Sequence, residues 1–197
     1  MEYQEKKFEL PALEGLSQES VQAHLGLYAG YVKNFNAQTA LITDLLQDPA
    51  RYAHAVSEVM RRRSFEFGGM RLHELYFSQF EGGPAALAAN SGLCESLVRQ
   101  FGSVETAVMH IKQTGMMRGP GWSLLYFDSL AGSFHVGFSG EQHQGHFVTL
   151  PVILALDVWE HAYLLDYGTT GKDKYIEAFF KNLNWAMCEA RFAAAAQ

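Results

Sequence analysis

Cysteine is scarce in this chain, basic residues are outnumbered, and long apolar runs are missing. Only Cys94 and Cys188 occur among the 197 residues, and their wide separation argues against a disulfide framework and against a thiolate zinc site. Lysine and arginine number 15 against 21 acidic residues, which gives a net charge of −6. The single basic run, at residues 61–63, is typical of a solvated helix face. We therefore expect no nucleic-acid partner.

The missing apolar runs bear on where the protein works. No segment is long enough to span a bilayer, and residues 1–7 carry charges where a secretory signal needs an apolar stretch. We therefore expect a cytoplasmic protein without a membrane partner. The chain length suits one domain of the upper usual size or two small lobes.

The first half of the chain has the periodicity of long helices. Ser17 is a candidate N-cap, and the apolar stripe that follows it places His24 on a buried helix face. A second helix is predicted over residues 52–63. After a break at Gly68-Gly69, a third helix is predicted to place His73 on its buried face.

The second half begins with two short predicted helices and then changes to the alternating pattern of strands. Residues 122–127 and 133–138 are predicted to form a hairpin, and residues 152–156 a third strand. One helix is predicted over residues 175–192. These elements make a small three-stranded antiparallel sheet flanked by helices.

A loop signal separates the two halves. Residues 81–84 read Glu-Gly-Gly-Pro, a strong chain breaker. We therefore predict a helical hairpin lobe over residues 1–82 and a second lobe over residues 83–197. The predicted fold class is α+β.

Asp157 directly follows the short apolar run at residues 152–156, which is typical of a buried strand. A carboxylate delivered to a protein interior needs a partner, because burying an unpaired charge is expensive. His161 lies four residues further on, at a spacing that suits two metal ligands. Pairing of Asp157 with His161, or capping of the following turn, explains the spacing about as well.

His24 and His73, both predicted on buried faces, extend this pair. With Asp157 and His161 they make three imidazoles and one carboxylate, a set that suits iron, manganese or zinc better than calcium or magnesium. Four protein ligands would leave room for solvent or substrate as a fifth. A single histidine on an apolar face is more often an ordinary core residue. The pattern alone therefore leaves both a metal site and a metal-free helical interaction module open.

Several strings of the chain match a known family. Residues 157–163, Asp-Val-Trp-Glu-His-Ala-Tyr, are the most specific. Supporting matches lie at residues 31–36, 101–103, 119–122 and 183–185. In these strings the chain resembles the iron/manganese superoxide dismutase family.

The resemblance implies a site and an activity. The metal ligands would be His24, His73, Asp157 and His161, which would hold one iron or manganese ion per chain between the two lobes. The substrate would be superoxide, converted to dioxygen and hydrogen peroxide by redox cycling of that single metal. A redox-inert zinc ion could not support this reaction.

The resemblance also implies roles for residues around the metal. Tyr31 corresponds to the gateway tyrosine, and Trp122 and Trp159 to an aromatic wall. Gln142 corresponds to the residue whose amide faces the metal-bound solvent, although His143 could take that place.

Two further matches bear on assembly and on the metal. Glu160 resembles the residue that reaches across a two-fold axis to the ligand histidine of the other subunit, which implies a homodimer. Gly69, four residues before His73, is typical of the manganese-type arrangement.

Among the departures from the family pattern, those at three positions bear most directly on the site. Tyr28 stands where relatives carry a second histidine. Tyr31 lies seven residues after His24 rather than eight. Either the helix lacks a π-bulge that relatives have, or Tyr31 is turned away from the substrate channel. Glu74 adds negative charge near a site that must attract an anion. These departures keep open the alternative of a metal-binding relative with weak or no dismutase activity.

Overall fold

The computed structural model describes residues 2–197 and begins with two long helices that pack against each other. Helix α1 spans Gln18–Leu45, and helix α2 spans Ala53–Ser78. Ser17 caps α1 as predicted, because its hydroxyl accepts a hydrogen bond from the Ser20 N–H at 3.1 Å. Within this described range no helix has the length and apolar character needed to cross a membrane.

Helix α2 runs without interruption through Gly68 and Gly69, so the predicted break at these glycines is wrong. The two residues serve close packing instead. A side-chain carbon at Gly68 would collide with the carbonyl oxygen of Gln142, and one at Gly69 would collide with the ring of Tyr31. The absence of a side chain therefore lets two other segments approach the α2 backbone.

The next elements build the predicted antiparallel sheet. Helices α3 and α4 precede strands β1, β2 and β3, which lie in the order β2-β1-β3. The bounds are Gly92–Phe101 for α3, Val104–Gly115 for α4, Gly121–Asp128 for β1, Ser133–Gly140 for β2 and Val152–Asp157 for β3. The central strand β1 is buried along nearly its whole length. The register sets Trp122 beside Asp157, and the α+β fold class is confirmed.

The C-terminal region contains three helices. Residues 175–192 divide between the second and the third, so the prediction of one helix over this range is wrong. The three helices span Leu164–Tyr167 (α5), Lys172–Asn182 (α6) and Trp185–Ala195 (α7). The break follows from Asn184, whose side chain accepts the Ala186 N–H at 3.1 Å and so caps α7. The Asn184 N–H donates to the Gln79 carbonyl at 2.8 Å, which places the break against the end of α2.

Gln79 and Arg191 join the end of α2 to the sheet. The fully buried amide of Gln79 donates to the Ala155 carbonyl at 2.8 Å and accepts the Ala155 N–H at 2.7 Å. Arg191 of α7 donates to the same amide at 3.0 Å and to the Leu75 carbonyl at 2.7 Å. The N-terminal helices and the sheet therefore meet through directed hydrogen bonds, while the lobe boundary between residues 82 and 83 stays a prediction.

Gly68→Ala is expected to lower the free energy of unfolding by about 1–3 kcal/mol, because the added methyl group would collide with the Gln142 carbonyl oxygen. Gly26→Ala is the matched control on α1, where a methyl group meets no atom within 4 Å. That variant should gain up to about 1 kcal/mol from helix propensity. Urea denaturation measures both values, and equal stabilities would contradict the close approach at Gly68.

Candidate metal centre

Asp157 is the last residue of β3 and is fully buried. Its Oδ1 accepts the Trp159 N–H at 2.8 Å, which caps the turn that follows the strand. Its Oδ2 faces the imidazole of His161 at 3.2 Å. Asp157 thus caps the following turn through Oδ1 and pairs with His161 through Oδ2, so both simple explanations of the spacing hold.

Three imidazoles converge on Oδ2 of Asp157. His24 of α1 and His161 of the 3-10 turn Glu160–Ala162 place their Nε2 atoms 3.2 Å from it, and His73 of α2 places its Nε2 3.7 Å from it. The potential ligand atoms of all four residues lie within 4.8 Å of one another. The long helices and the end of β3 therefore bring together the four residues that the sequence singled out.

The four side chains fit a single metal ion. Two ligand atoms about 2.1 Å from one ion lie roughly 3.0–3.6 Å apart at ordinary coordination angles, close to the three distances from Oδ2 to the imidazole nitrogens. His73 gives the sharpest test. Its Nδ1 donates to the Gly69 carbonyl at 2.7 Å, while its Nε2 is buried and has no hydrogen-bond partner. A buried polar atom without a partner is costly, and a metal ion would satisfy it.

The protonation states also suit metal binding. Burial alone would raise the pKa of Asp157, but the charge and hydrogen bonds of His161 and His24 outweigh burial, so the carboxyl pKa lies well below its usual range. Burial lowers the pKa of His24, and it lowers that of His73 to about 3. An ionised carboxylate and neutral imidazoles are the forms in which these groups coordinate metals.

Aromatic rings enclose the four residues. The Trp122 ring lies 5.2 Å from the His73 ring, and the Trp159 ring stacks on His161 at 5.7 Å. Two more rings were not assigned to the site from the sequence. Tyr76 lies 4.9 Å from His24, and Phe65 lies 6.4 Å from Trp159. Tyr76 follows His73 by three residues on the same helix, and this helical spacing was the available signal.

Gln142 lies fully buried beside this aromatic enclosure. The Trp122 indole N–H donates to its Oε1 at 2.9 Å, and its Nε2 donates to the Tyr31 hydroxyl at 3.1 Å. His143 turns elsewhere, with its ring 5.7 Å from Phe65 and its Nδ1 3.7 Å from a Glu141 carboxylate oxygen. Gln142 is therefore the amide that links Tyr31 to Trp122, and its role toward a metal-bound solvent stays a prediction.

The shortened spacing in the first helix does not remove Tyr31 from the centre. Helix α1 is α-helical from Gln18 to Leu45, without a π-bulge. The Tyr31 ring nevertheless lies 5.0 Å from the His73 ring. The first explanation is therefore the right one: the helix lacks the π-bulge. The Tyr31 ring still packs against the candidate ligand His73.

The two remaining departures from the family pattern contact each other. The Tyr28 hydroxyl accepts the Lys6 N–H at 2.8 Å and donates to Glu74 at 3.3 Å. Glu74 also forms ion pairs with Arg71 at 2.6 Å and with the Lys6 ammonium at 3.3 Å. Two cations thus compensate Glu74, so the expected excess of negative charge is much reduced.

Glu160 lies at the surface, next to the candidate ligand His161 in the 3-10 turn. Within residues 2–197, its side chain forms no ion pair or hydrogen bond with the other candidate site residues. Its role in a dimer stays a prediction.

Tyr28→Phe is expected to cost about 1–2 kcal/mol of unfolding free energy, because the Lys6 N–H and the buried Glu74 carboxylate each lose a partner. Tyr52→Phe, on the half-buried residue before α2, is the control and should change stability by less than about 0.5 kcal/mol. Chemical denaturation gives both values. A Tyr28→Phe protein as stable as the parent would rule out the assigned hydrogen bonds as stabilising contacts.

Comparison with known proteins gives one consistent result. A family model described as iron/manganese superoxide dismutases, C-terminal domain, matches residues 89–191. The superoxide dismutase [Fe] of Cupriavidus metallidurans is 32% identical, covering 93% of this chain and 91% of that protein. The superoxide dismutase [Fe] of Saccharolobus solfataricus is 28% identical, with 97% and 96% covered. The superoxide dismutase [Mn] 2 of Haloferax volcanii is 29% identical, with 96% and 94% covered.

These matches run through the sheet, the turn that carries His161 and most of the C-terminal helices, and the relatives align over nearly the whole chain. The specific string at residues 157–163 falls inside the matched region. The chain belongs to the iron/manganese superoxide dismutase family.

Proposed function

We propose that this protein is a superoxide dismutase that holds one iron or manganese ion at His24, His73, Asp157 and His161. The observation that carries the proposal is the convergence of three imidazole nitrogens on Oδ2 of one buried carboxylate, at 3.2 to 3.7 Å. Membership of the superoxide dismutase family indicates that the reaction is the dismutation of superoxide by redox cycling of that metal. Relatives are named for iron and for manganese, so the donor set suits either metal.

Iron or manganese, when bound, supplies a one-electron couple that oxidises one superoxide to dioxygen and reduces the next. The chain's own residues hold and shield that centre. Asp157 contributes the single negative charge among the four ligands, and the Gly69 carbonyl fixes the orientation of His73. The rings of Trp122 and Trp159 keep bulk water from the imidazoles that they cover.

Tyr31 is suited to hold a proton. Its hydroxyl oxygen accepts the amide hydrogen of Gln142, so its own hydrogen is free to point to another acceptor. Burial, reinforced by the charge of Asp157, raises the pKa of Tyr31 to about 12, so the hydroxyl keeps its hydrogen and acts as a hydrogen-bond donor. Forming hydrogen peroxide from reduced superoxide consumes two protons, both drawn from solvent. The Tyr31 hydroxyl at the edge of the imidazole cluster would orient their delivery by hydrogen bonding.

The rival function is a metal-binding relative without fast dismutation. Its motivation was the altered gateway at Tyr31 and the histidine that Tyr28 replaces. The Tyr31 ring lies 5.0 Å from the His73 ring, and the Tyr28 hydroxyl has its own partners in the Lys6 N–H and Glu74, which weakens both grounds. We therefore favour the active enzyme.

Purified protein is expected to contain close to one iron or manganese ion per chain and to dismutate superoxide rapidly per bound metal. Asp157→Asn should lose most of the metal and the activity, because the amide is a far weaker ligand than the ionised carboxylate. Asp44→Asn, an equal change of charge on the exposed face of α1, should keep both. Elemental analysis and a stopped-flow dismutation assay measure the two quantities.

The outcomes separate the two functions. Stoichiometric metal with turnover no better than buffer would establish the inactive relative. Stoichiometric metal in Asp157→Asn, equal to that of Asp44→Asn, would move the metal away from this centre.

We also propose that the protein is a homodimer in which Glu160 reaches the His161 ring of the other copy. His161 directs its Nε2 at Asp157, and its side chain keeps 20% of its surface exposed, so its second nitrogen is available for an outside partner. A carboxylate on that second nitrogen is a common support of a metal-ligating histidine. The neighbouring Glu160 is exposed, and a two-fold axis would supply the contact in both directions.

Glu160→Ala is expected to weaken the dimer, because each interface would lose two carboxylate contacts to His161. Sedimentation should give the parent a mass of about twice 22.0 kDa, and the variant should dissociate at a higher protein concentration than the parent. Glu58→Ala, an exposed acid on α2, serves as the control. A parent protein that sediments as a single chain would refute the dimer.

The cytoplasmic location and the lack of nucleic-acid and membrane partners stay predictions from composition. They rest on the net charge of −6 and on the lack of long apolar runs.

A further inference from the structure

The loop that joins β2 to β3 holds Gln142 in a conformation that needs outside support. Glu141, directly before Gln142, has φ +54°, in the left-handed region that residues other than glycine rarely adopt. Such a conformation costs about 1 kcal/mol or more and persists only when surrounding contacts determine it. The side chain of His146, in the middle of the same loop, provides such contacts.

Three hydrogen-bonding groups surround the His146 ring. Its Nδ1 lies 2.9 Å from the Tyr126 hydroxyl, and its Nε2 lies 3.1 Å from the Ser139 hydroxyl and 3.3 Å from the Gln142 carbonyl oxygen. The Ser139 hydroxyl donates its one hydrogen to the Gln144 carbonyl at 2.8 Å. Ser139 must therefore accept from His146.

These contacts determine which ring nitrogen carries the hydrogen. Nε2 is the donor, shared between Ser139 and the Gln142 carbonyl, and Nδ1 accepts the hydrogen of the Tyr126 hydroxyl. Both ring nitrogens of His146 are therefore engaged in hydrogen bonds.

The Gln142 residue is held at both its main chain and its side chain. Its carbonyl oxygen lies between the His146 ring and Gly68 of α2, where no side-chain carbon would fit. Its amide lies between the Trp122 indole and the Tyr31 hydroxyl. Because the Gln142 side chain is fully buried between these partners, a shift of its main chain changes the torsions it needs to reach them, and with those the geometry of both amide hydrogen bonds.

We infer that His146 is a positioning residue for the metal centre: its Nε2–H, directed by Tyr126 and Ser139, fixes the Gln142 main chain and through it the amide that joins Trp122 to Tyr31. Its catalytic consequence rests on the proposed dismutase function. Among the residues that the structure describes, His146 forms no hydrogen bond with any of the four candidate ligands.

The test uses the Trp122 indole N–H as a probe that does not depend on activity. The chain has three tryptophans, so a ¹H–¹⁵N spectrum of the full-length protein, loaded with diamagnetic zinc, contains three indole signals. His146→Leu, which removes the donor, is expected to shift the Trp122 signal and leave that of Trp185 in place. His146→Gln keeps an N–H donor near the position of Nε2 and should restore most of the parent shift.

The same variants are then assayed with iron or manganese. His146→Leu should keep its metal content and lose roughly three- to tenfold in turnover per bound metal, the equivalent of one hydrogen bond. His146→Gln should recover most of that loss. His54→Gln, an exposed histidine on α2, is the control and should match the parent in both measurements.

A purely structural role for His146 predicts lower thermal stability in His146→Leu with an unmoved Trp122 signal and unchanged turnover, and that result would overturn the inference. If His146→Leu does not fold, Tyr126→Phe keeps the imidazole and removes the hydrogen that directs it. That variant should shift the Trp122 signal in a folded protein, and an unmoved signal would again overturn the inference. A parent without turnover whose Trp122 signal still responds to His146→Leu would instead refute the proposed activity and support the positioning.

Discussion

The structure depends on the placement of one ionised carboxylate, that of Asp157, in a fully buried position. A carboxylate there is tolerated only if both of its oxygens are used. The Trp159 N–H takes Oδ1, and three imidazoles face Oδ2. The helices that supply two of these imidazoles must therefore pack against the end of β3. The same contact that makes the charge acceptable thus sets how the N-terminal helices sit on the sheet.

Close packing along α2 is the second constraint, and it follows from the first. Once His73 is directed at Asp157, the turn of α2 before it faces the segments that carry Tyr31 and Gln142. Gly68 and Gly69 leave that turn without side chains, so the Tyr31 ring and the Gln142 carbonyl can lie against the helix backbone. The Gly69 carbonyl also orients His73. The two glycines lower the helix propensity of this turn, but they permit the close contacts that the metal centre requires.

Much of this could be predicted from the sequence, because it depends on local patterns. The apolar run before Asp157 predicts a buried strand end, and the helical stripes predict inward-facing His24 and His73. The continuity of α2 through Gly68-Gly69 could not be predicted in this way, since the glycine signal for a break is local and the contacts that offset it come from residues 31 and 142. The break before α7 combines a local cap, Asn184, which the sequence could have indicated, with a contact from the Asn184 N–H to the Gln79 carbonyl, over a hundred residues away. Long-range contacts thus enter both of the parts that failed.

The two departures from the family pattern at positions 28 and 74 are best understood as one structural change. A tyrosine at position 28 brings a buried hydroxyl that needs an acceptor, and Glu74 supplies it at 3.3 Å. A glutamate at position 74 brings a nearly buried charge, which Lys6 and Arg71 offset. The Tyr28 hydroxyl therefore finds its acceptor in a carboxylate whose charge two cations already compensate. Neither residue takes part in the hydrogen bonds that join Tyr31, Gln142 and Trp122, and that connection is intact. The altered first helix is therefore compatible with a complete metal centre.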